Sequence, residues 1–185
     1  MVLSSAEWPD DMSGVVEPRA LLLTGPYGAG KSALAAEIAG LLEGRVPFAA
    51  IDLDWLAWYD DGITAGHTPA AFEMLARNLG CVVANFRGAG VGHFLLAGAI
   101  LDGASHERLL GAMGMPIRVV RISAPFAEIE RRLESDPTSG RADDLREART
   151  WIAAGEVLPF EDDAVINVGP IRTVAELVLA RWLPS

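Results

Sequence analysis

Residues 25–32 read Gly25-Pro26-Tyr27-Gly28-Ala29-Gly30-Lys31-Ser32, and no other stretch constrains the fold as strongly. The octapeptide fits the pattern G-x-x-x-x-G-K-[ST], in which main-chain N–H groups wrap one anion while a lysine and a hydroxyl reach it. Gly25, Gly28 and Gly30, spaced by Tyr27 and Ala29, allow backbone angles that a side chain would forbid. The flanks suit the motif. Ala20-Leu21-Leu22-Leu23 is a short apolar run ending at Thr24 and reads as a buried strand. After Ser32 and Ala33, residues Leu34, Ile38, Leu41 and Leu42 recur at helical spacing. The glycines therefore lie between a strand and a helix start, where the helix N-terminus reinforces anion binding. The alternative is a glycine turn that merely joins strand to helix; motif and flanks together weigh against it.

Lysine usage points the same way. Of fifteen basic residues Lys31 is the sole lysine and fourteen are arginine. An ammonium is a compact point charge and a guanidinium a wide planar fork, so the chain uses its one lysine where a charge must fit between phosphate oxygens. The expectation is that Lys31 bridges the terminal phosphates of ATP and that the Ser32 hydroxyl ligates Mg²⁺.

A chain of 185 residues is one domain, expected over 18–185 with a loose leader at 1–17. That leader is acidic and polar, unlike a signal or transit peptide. At 51% hydrophobic residues the chain can bury a core, yet no run approaches the ~18 apolar residues of a membrane span. The single Cys81 excludes an internal disulfide framework and suits a reducing, cytoplasmic setting. A formal charge of −10 argues against a nucleic-acid partner. Oligomeric state stays open, a homo-oligomer included.

Further short apolar runs at 47–51, 92–100, 117–122 and 164–168 alternate with helical patterns. Thr68-Pro69 opens a long helix that Gly88-Ala89-Gly90 closes; Phe72, Leu75, Leu79 and Phe86 form its apolar side, with Arg77, Asn78, Cys81 and Asn85 on the other. Ser105–Met113, the segment opened by Pro125 and residues 143–154 read as helices, and Thr173-Val174-Ala175-Glu176 reads as a capping box opening the last one. Five strands alternating with helices predict a three-layer α/β/α fold with a parallel sheet covered on both faces. Ligands of such sheets bind beyond the carboxyl ends of the strands.

The glycine loop and Asp52-Leu53-Asp54 both fall at such ends. Two residues apart, the acids share a face of an extended segment. Asp52 is assigned to the Mg²⁺ shell, directly or through water, and Asp54 to the acceptor hydroxyl as base. The competing account is that one of them caps the following helix. The third strand run ends in Gly98, not an acid; Asp102 lies further on and is expected to begin the next helix. The polar stretch 135–142 is bracketed by Arg131, Arg132 and Arg141 and is expected to be a short lid. Against that, Glu128, Arg131 and Arg132 can form ordinary helix-surface pairs. Trp55, Trp58 and Tyr59 offer either an aromatic wall for an acceptor or a surface buried on the neighbouring helix. His67, His93 and His106 are scattered, with no metal spacing.

On these residues the chain resembles the small-molecule kinases of the phosphate-loop superfamily, the group of adenylate, shikimate, gluconate and adenylylsulfate kinases. Asp52-Leu53-Asp54 is similar to the D-x-D after the second strand of shikimate-type kinases, and the glycine-ended third strand also resembles that branch. Glu130-Arg131-Arg132-Leu133 with Gly140-Arg141 is similar to the family's lid-flanking arginines. The resemblance implies strand order 2-3-1-4-5, ATP with Mg²⁺, Arg132 near adenine, Arg141 on the phosphates, and Gly169-Pro170-Ile171 on the other side of the base. The lid is short, and the shikimate family's acceptor-binding arginines are not matched.

The leading expectation is transfer of the γ-phosphoryl of ATP to a hydroxyl of a small metabolite. The alternatives are an ATPase or nucleotide-dependent switch without a small acceptor, and a nucleotide-binding protein without chemistry. A guanine-reading N-K-x-D is impossible with Lys31 as the sole lysine.

Overall fold

Apolar runs of four to seven residues, too short for helices, pair as the strands of one parallel sheet. The computed structural model describes residues 17–56, 69–136, 141–155 and 157–183. The five strands are β1 (Arg19–Thr24), β2 (Phe48–Asp52), β3 (His93–Ala97), β4 (Ile117–Ser123) and β5 (Asp163–Ile166), in the order β2-β3-β1-β4-β5. The predicted sheet and strand order are both present.

The central strand explains the layers. Successive side chains of a strand point to opposite faces. Leu21 and Leu23 enter a core with α1 (Lys31–Leu42) and α7 (Ile171–Trp182). Ala20 and Leu22 enter the opposite core with α3 (Pro69–Gly88) and α4 (Gly103–Met113). A strand buried on both faces must be a continuous apolar run, which is what 20–23 is.

The remaining helices are α2 (Leu53–Leu56), α5 (Phe126–Ser135) and α6 (Arg141–Ala154). Helices α5 and α6 pack through Ile129, Leu133 and Ala148, a small third core. Arg149 secures them, donating to Glu130 at 3.0 Å and lying over the Phe126 ring.

Several expectations need correction. Asp52 and Asp54 do not share a strand face, because the chain turns into α2 at Leu53 and places Asp54 in its first turn. The reason is local: Asp52 Oδ1 accepts from the Asp54 N–H at 3.0 Å, as a cap does. The last helix does not start with a capping box. It starts at Ile171 behind Pro170, which pre-sets the entry angle, and Glu176 instead pairs with Arg172 at 3.2 Å. The described flanks of the lid segment are helical, with α5 reaching Ser135 and α6 beginning at Arg141. Residues 137–140, the leader 1–16, Trp58, Tyr59 and His67 lie outside the described residues, as does the Arg141 side chain. Phe86, assigned to the apolar side of α3, is 39% exposed near the helix end.

Asp102 begins α4 as expected; its Oδ1 accepts from the Ser105 N–H at 2.8 Å. Arg77, Asn78, Cys81 and Asn85 line the exposed side of α3. His93 packs edge-on against Trp182, and His106 stacks on Phe160. No group of three or more histidine, cysteine, aspartate or glutamate side chains with metal-binding geometry occurs among the described residues. No described helix is long and apolar enough to cross a membrane.

Candidate active site at the carboxyl edge of the sheet

Between β1 and α1 the chain must leave the sheet, reverse and start a helix within six residues. Gly25 has φ 136°, and a Cβ there would collide with the Ile122 carbonyl oxygen of β4. Gly30 has φ 90°, and a Cβ would lie 2.5 Å from the Asn167 amide nitrogen. Only glycine fits these positions. Helix α1 begins at Lys31 with Gly30 as its cap and no side-chain cap. Its first-turn N–H groups have no intrahelical carbonyl to meet and are left for an anion.

Lys31 is buried. Its ammonium donates to the carbonyl oxygens of Gly25 (3.0 Å) and Pro26 (3.1 Å) and lies 5.2 Å from the centre of the Tyr27 ring. Burial pushes its pKa down, while Asp54, Asp52 and Asp144 oppose that shift. Burial also pushes the Tyr27 hydroxyl well above its ordinary pKa, with Asp54 and Glu147 adding to the effect. The acids Asp144 and Glu147 belong to α6, so this helix faces the loop.

Ser32 donates its hydroxyl hydrogen to Asp52 Oδ2 at 2.8 Å. Asp52 thus ties the end of β2 to the first turn of α1, with one oxygen on Ser32 and the other on the Asp54 N–H. The two residues expected to hold magnesium are already adjacent. Magnesium takes one or two protein oxygens and completes its shell with water and phosphate, and this donor pair fits that demand. Asp54 is exposed, at the edge of a cavity of about 910 Å³.

The outer side of the loop is braced by groups far away in sequence. Arg132 donates to the carbonyl oxygens of Gly28 (3.3 Å), Ala29 (3.2 Å) and Asn167 (3.2 Å), and to Glu128 Oε1 (2.9 Å). Asn167, just past β5, is 4% exposed; its side-chain amide donates to the Ala29 carbonyl at 2.8 Å and its N–H to the Ser123 carbonyl at 2.7 Å. Among the described residues Arg131 makes the helix-surface pair, donating to Glu128 at 2.7 and 2.9 Å. Asn167 carries no motif. Its one signal is a polar residue closing an apolar strand run.

The structure brings Gly25, Tyr27, Gly28, Ala29, Gly30, Lys31, Ser32, Asp52 and Arg132 to one loop, with Ala33 in the first turn of α1 and Asp54 beside it. It does not bring Trp55 to the cavity; that ring is 72% exposed.

A parallel sheet of order 2-3-1-4-5 with a glycine loop ahead of α1 is the fold of the phosphate-loop small-molecule kinases. A sugar kinase from Janibacter sp. HTCC2649 is similar at TM-score 0.65 and 19% identity, over 88% of this chain and 93% of that one. A gluconokinase from Sinorhizobium meliloti 1021 is similar at TM-score 0.61 and 19% identity, over 89% and 93%. The APS kinase of Mycobacterium tuberculosis, in complex with AMPPNP and APS, is similar at TM-score 0.57 and 21% identity, over 88% and 96%. No protein-family model matches the chain, and no curated protein matches it.

Proposed function

We propose that the protein is an ATP-dependent phosphotransferase whose acceptor is an alcohol. The observation that carries this reading is the meeting of Lys31, Ser32 and Asp52 at the loop with Asp54 at the rim of a large cavity. A nucleotide-binding site alone needs no second pocket beside a carboxylate.

The roles follow from charge. The N–H groups of the loop and of α1 hold the β- and γ-phosphates. Lys31 has its ammonium on its own loop carbonyls; an arriving polyphosphate supplies the counter-charge that burial denies it. Ser32 and Asp52 would hold Mg²⁺, which would supply charge neutralisation for the transferring phosphoryl group. Asp54 takes the proton of the acceptor hydroxyl. The acceptor oxygen bonds to the γ-phosphorus, the bond from that phosphorus to the bridging oxygen breaks, and ADP leaves. The face of the Arg132 guanidinium and the loop Gly169-Pro170-Ile171 would flank the adenine. Arg141, at the start of α6, would reach the phosphates.

The similarity to sugar, gluconate and APS kinases supports this reading through the fold. The test is ADP release from MgATP with and without a panel of alcohols. Acceptor-dependent release and a new phosphate ester support the kinase. Release that no acceptor stimulates indicates an ATPase or switch, and binding without release indicates a nucleotide-binding protein without chemistry.

A further inference from the structure

Tyr27 belongs to both halves of the site. The Lys31 ammonium lies over its ring, 5.2 Å from the centre, and the same side chain lines the cavity beside Asp54. Pro26 also lines that cavity, and its carbonyl oxygen accepts from the Lys31 ammonium at 3.1 Å. The lysine is 7% exposed. Residues 26 and 27 therefore stand between it and the cavity.

The backbone fixes that wall. The Ala29 N–H donates to the Pro26 carbonyl at 3.3 Å, closing a turn of which Tyr27 is the second residue. Pro26 has its φ set by its ring. Gly28, with φ 75°, packs so closely on α5 that a Cβ would come 2.9 Å from Ile129 Cγ2 and 3.0 Å from Leu133 Cγ. Tyr27 is thus presented by a turn held from behind and cannot drift with a mobile loop. A cation over an aromatic face is attracted to it, most strongly where water is excluded. Burial, and then Asp54, push the Tyr27 pKa up, and burial pushes that of Lys31 down against the pull of Asp54, so the three groups share one neighbourhood.

We infer that Tyr27 is a positioning residue: its ring covers Lys31 against cavity water, so that the phosphoryl group passes to the acceptor and not to water. The transfer role rests on the kinase reading, but the cover over Lys31 can be scored without turnover. The step that the ring suppresses is hydrolysis. A water oxygen bonds to the γ-phosphorus, the bond from that phosphorus to the bridging oxygen breaks, a water proton goes to Asp54, and ADP and inorganic phosphate leave.

The test compares Tyr27→Phe, which keeps the ring, with Tyr27→Ala, which removes it. Lys31 is the sole lysine, so protein labelled with ¹³C-lysine gives one lysine side-chain signal. In wild type and Tyr27→Phe its ε-methylene protons should be displaced upfield by the ring and resist broadening by a neutral gadolinium chelate. In Tyr27→Ala the signal should move to the ordinary lysine position and broaden. With MgATP and no alcohol, release of inorganic phosphate should rise about tenfold in Tyr27→Ala and not in Tyr27→Phe. Affinity for a fluorescent ATP analogue should change less than about threefold in Tyr27→Ala, because the nucleotide meets main-chain groups of the loop. Tyr27→Leu keeps apolar contact and loses the ring, which covers the case of an unstable alanine variant; it should lose the upfield displacement and raise phosphate release by a smaller factor. A lysine signal equally placed and equally protected with and without the ring overturns the cover. Phosphate release unchanged in Tyr27→Ala, or raised as much in Tyr27→Phe, overturns the transfer role. The kinase reading is scored separately: wild type that fails to bind the ATP analogue, or forms no ester with a panel of alcohols, sinks that reading and leaves the lysine result standing.

Discussion

Under the proposed function, the nucleotide side of the site and the acceptor side are built from different materials. At the loop nearly every recognising group is main chain, held in place by glycine backbone angles and by Arg132 and Asn167 behind it. The cavity beside Asp54 is lined by side chains from α2, α3, the segment after β3, α4 and α6, most of them apolar, with Arg108, Arg146 and Glu147 among them. A polyphosphate is the same in every such reaction, so fixed donors suit it. An acceptor varies from enzyme to enzyme, so its pocket is made of replaceable side chains. Substitutions at the loop should therefore act on nucleotide affinity, and substitutions on the cavity side on turnover and acceptor choice.

The largest break in that contrast is Lys31→Met. The side chain keeps its length and loses its charge, so the fold should hold while nucleotide affinity falls at least about 100-fold, measured with a fluorescent ATP analogue. Undiminished affinity would remove Lys31 from the phosphate site. Asp54→Asn should do the reverse. Turnover with an accepted alcohol should drop about 10²–10⁴-fold, with ATP affinity little changed. An equal loss of both would place Asp54 with the nucleotide and erase the contrast.

Asn167→Ala sharpens the comparison from behind the loop. It removes the donor to the Ala29 carbonyl, a buried bond whose loss costs about 1–3 kcal/mol. Calorimetry should show Tm lowered by about 2–10 °C, and KM for ATP should rise more than KM for the acceptor. A raised acceptor KM alone would show that the brace serves the other side.

The smallest effect concerns Glu128, which orients Arg132. Its hydrogen bond to Arg131, and then that to Arg132, hold its pKa down at about 2, against 4.5 for an ordinary glutamate. A depressed carboxylate pKa stabilises the fold above about pH 4.5, and that stabilisation is lost as pH falls toward 2. The Tm difference between wild type and Glu128→Gln should be present at neutral pH and shrink across that window. A constant difference would mean that the ion pairs contribute nothing.

Much of this architecture was legible in the chain because its signals are local. Runs of apolar residues gave the five strands, and the glycine loop with its flanks placed the β1–α1 crossing. Asp52 stood out as an acid closing a strand. What was not legible depends on distant partners or on competition between neighbours. Asn167 and Arg132 meet Ala29 across more than one hundred residues, and no local pattern marks either for that contact. The strand reading of 52–54 failed because Asp52 can cap as well as extend, and the cap won. The Thr173–Glu176 box failed because Pro170 starts the helix earlier, leaving Glu176 to Arg172. The α6 acids Asp144 and Glu147 carry no local signal that marks them for the site. Only the packing of α6 on α5 turns them toward Lys31 and Tyr27.

The most direct test of the central claim is a crystal soaked with AMPPNP and Mg²⁺. The account predicts the triphosphate chain wrapped by the N–H groups of residues 28–33, with the Lys31 ammonium moved from the Gly25 and Pro26 carbonyls onto the β- and γ-oxygens and the metal on Ser32. A nucleotide bound elsewhere, or a loop that stays empty with Lys31 still on its own carbonyls, would contradict it.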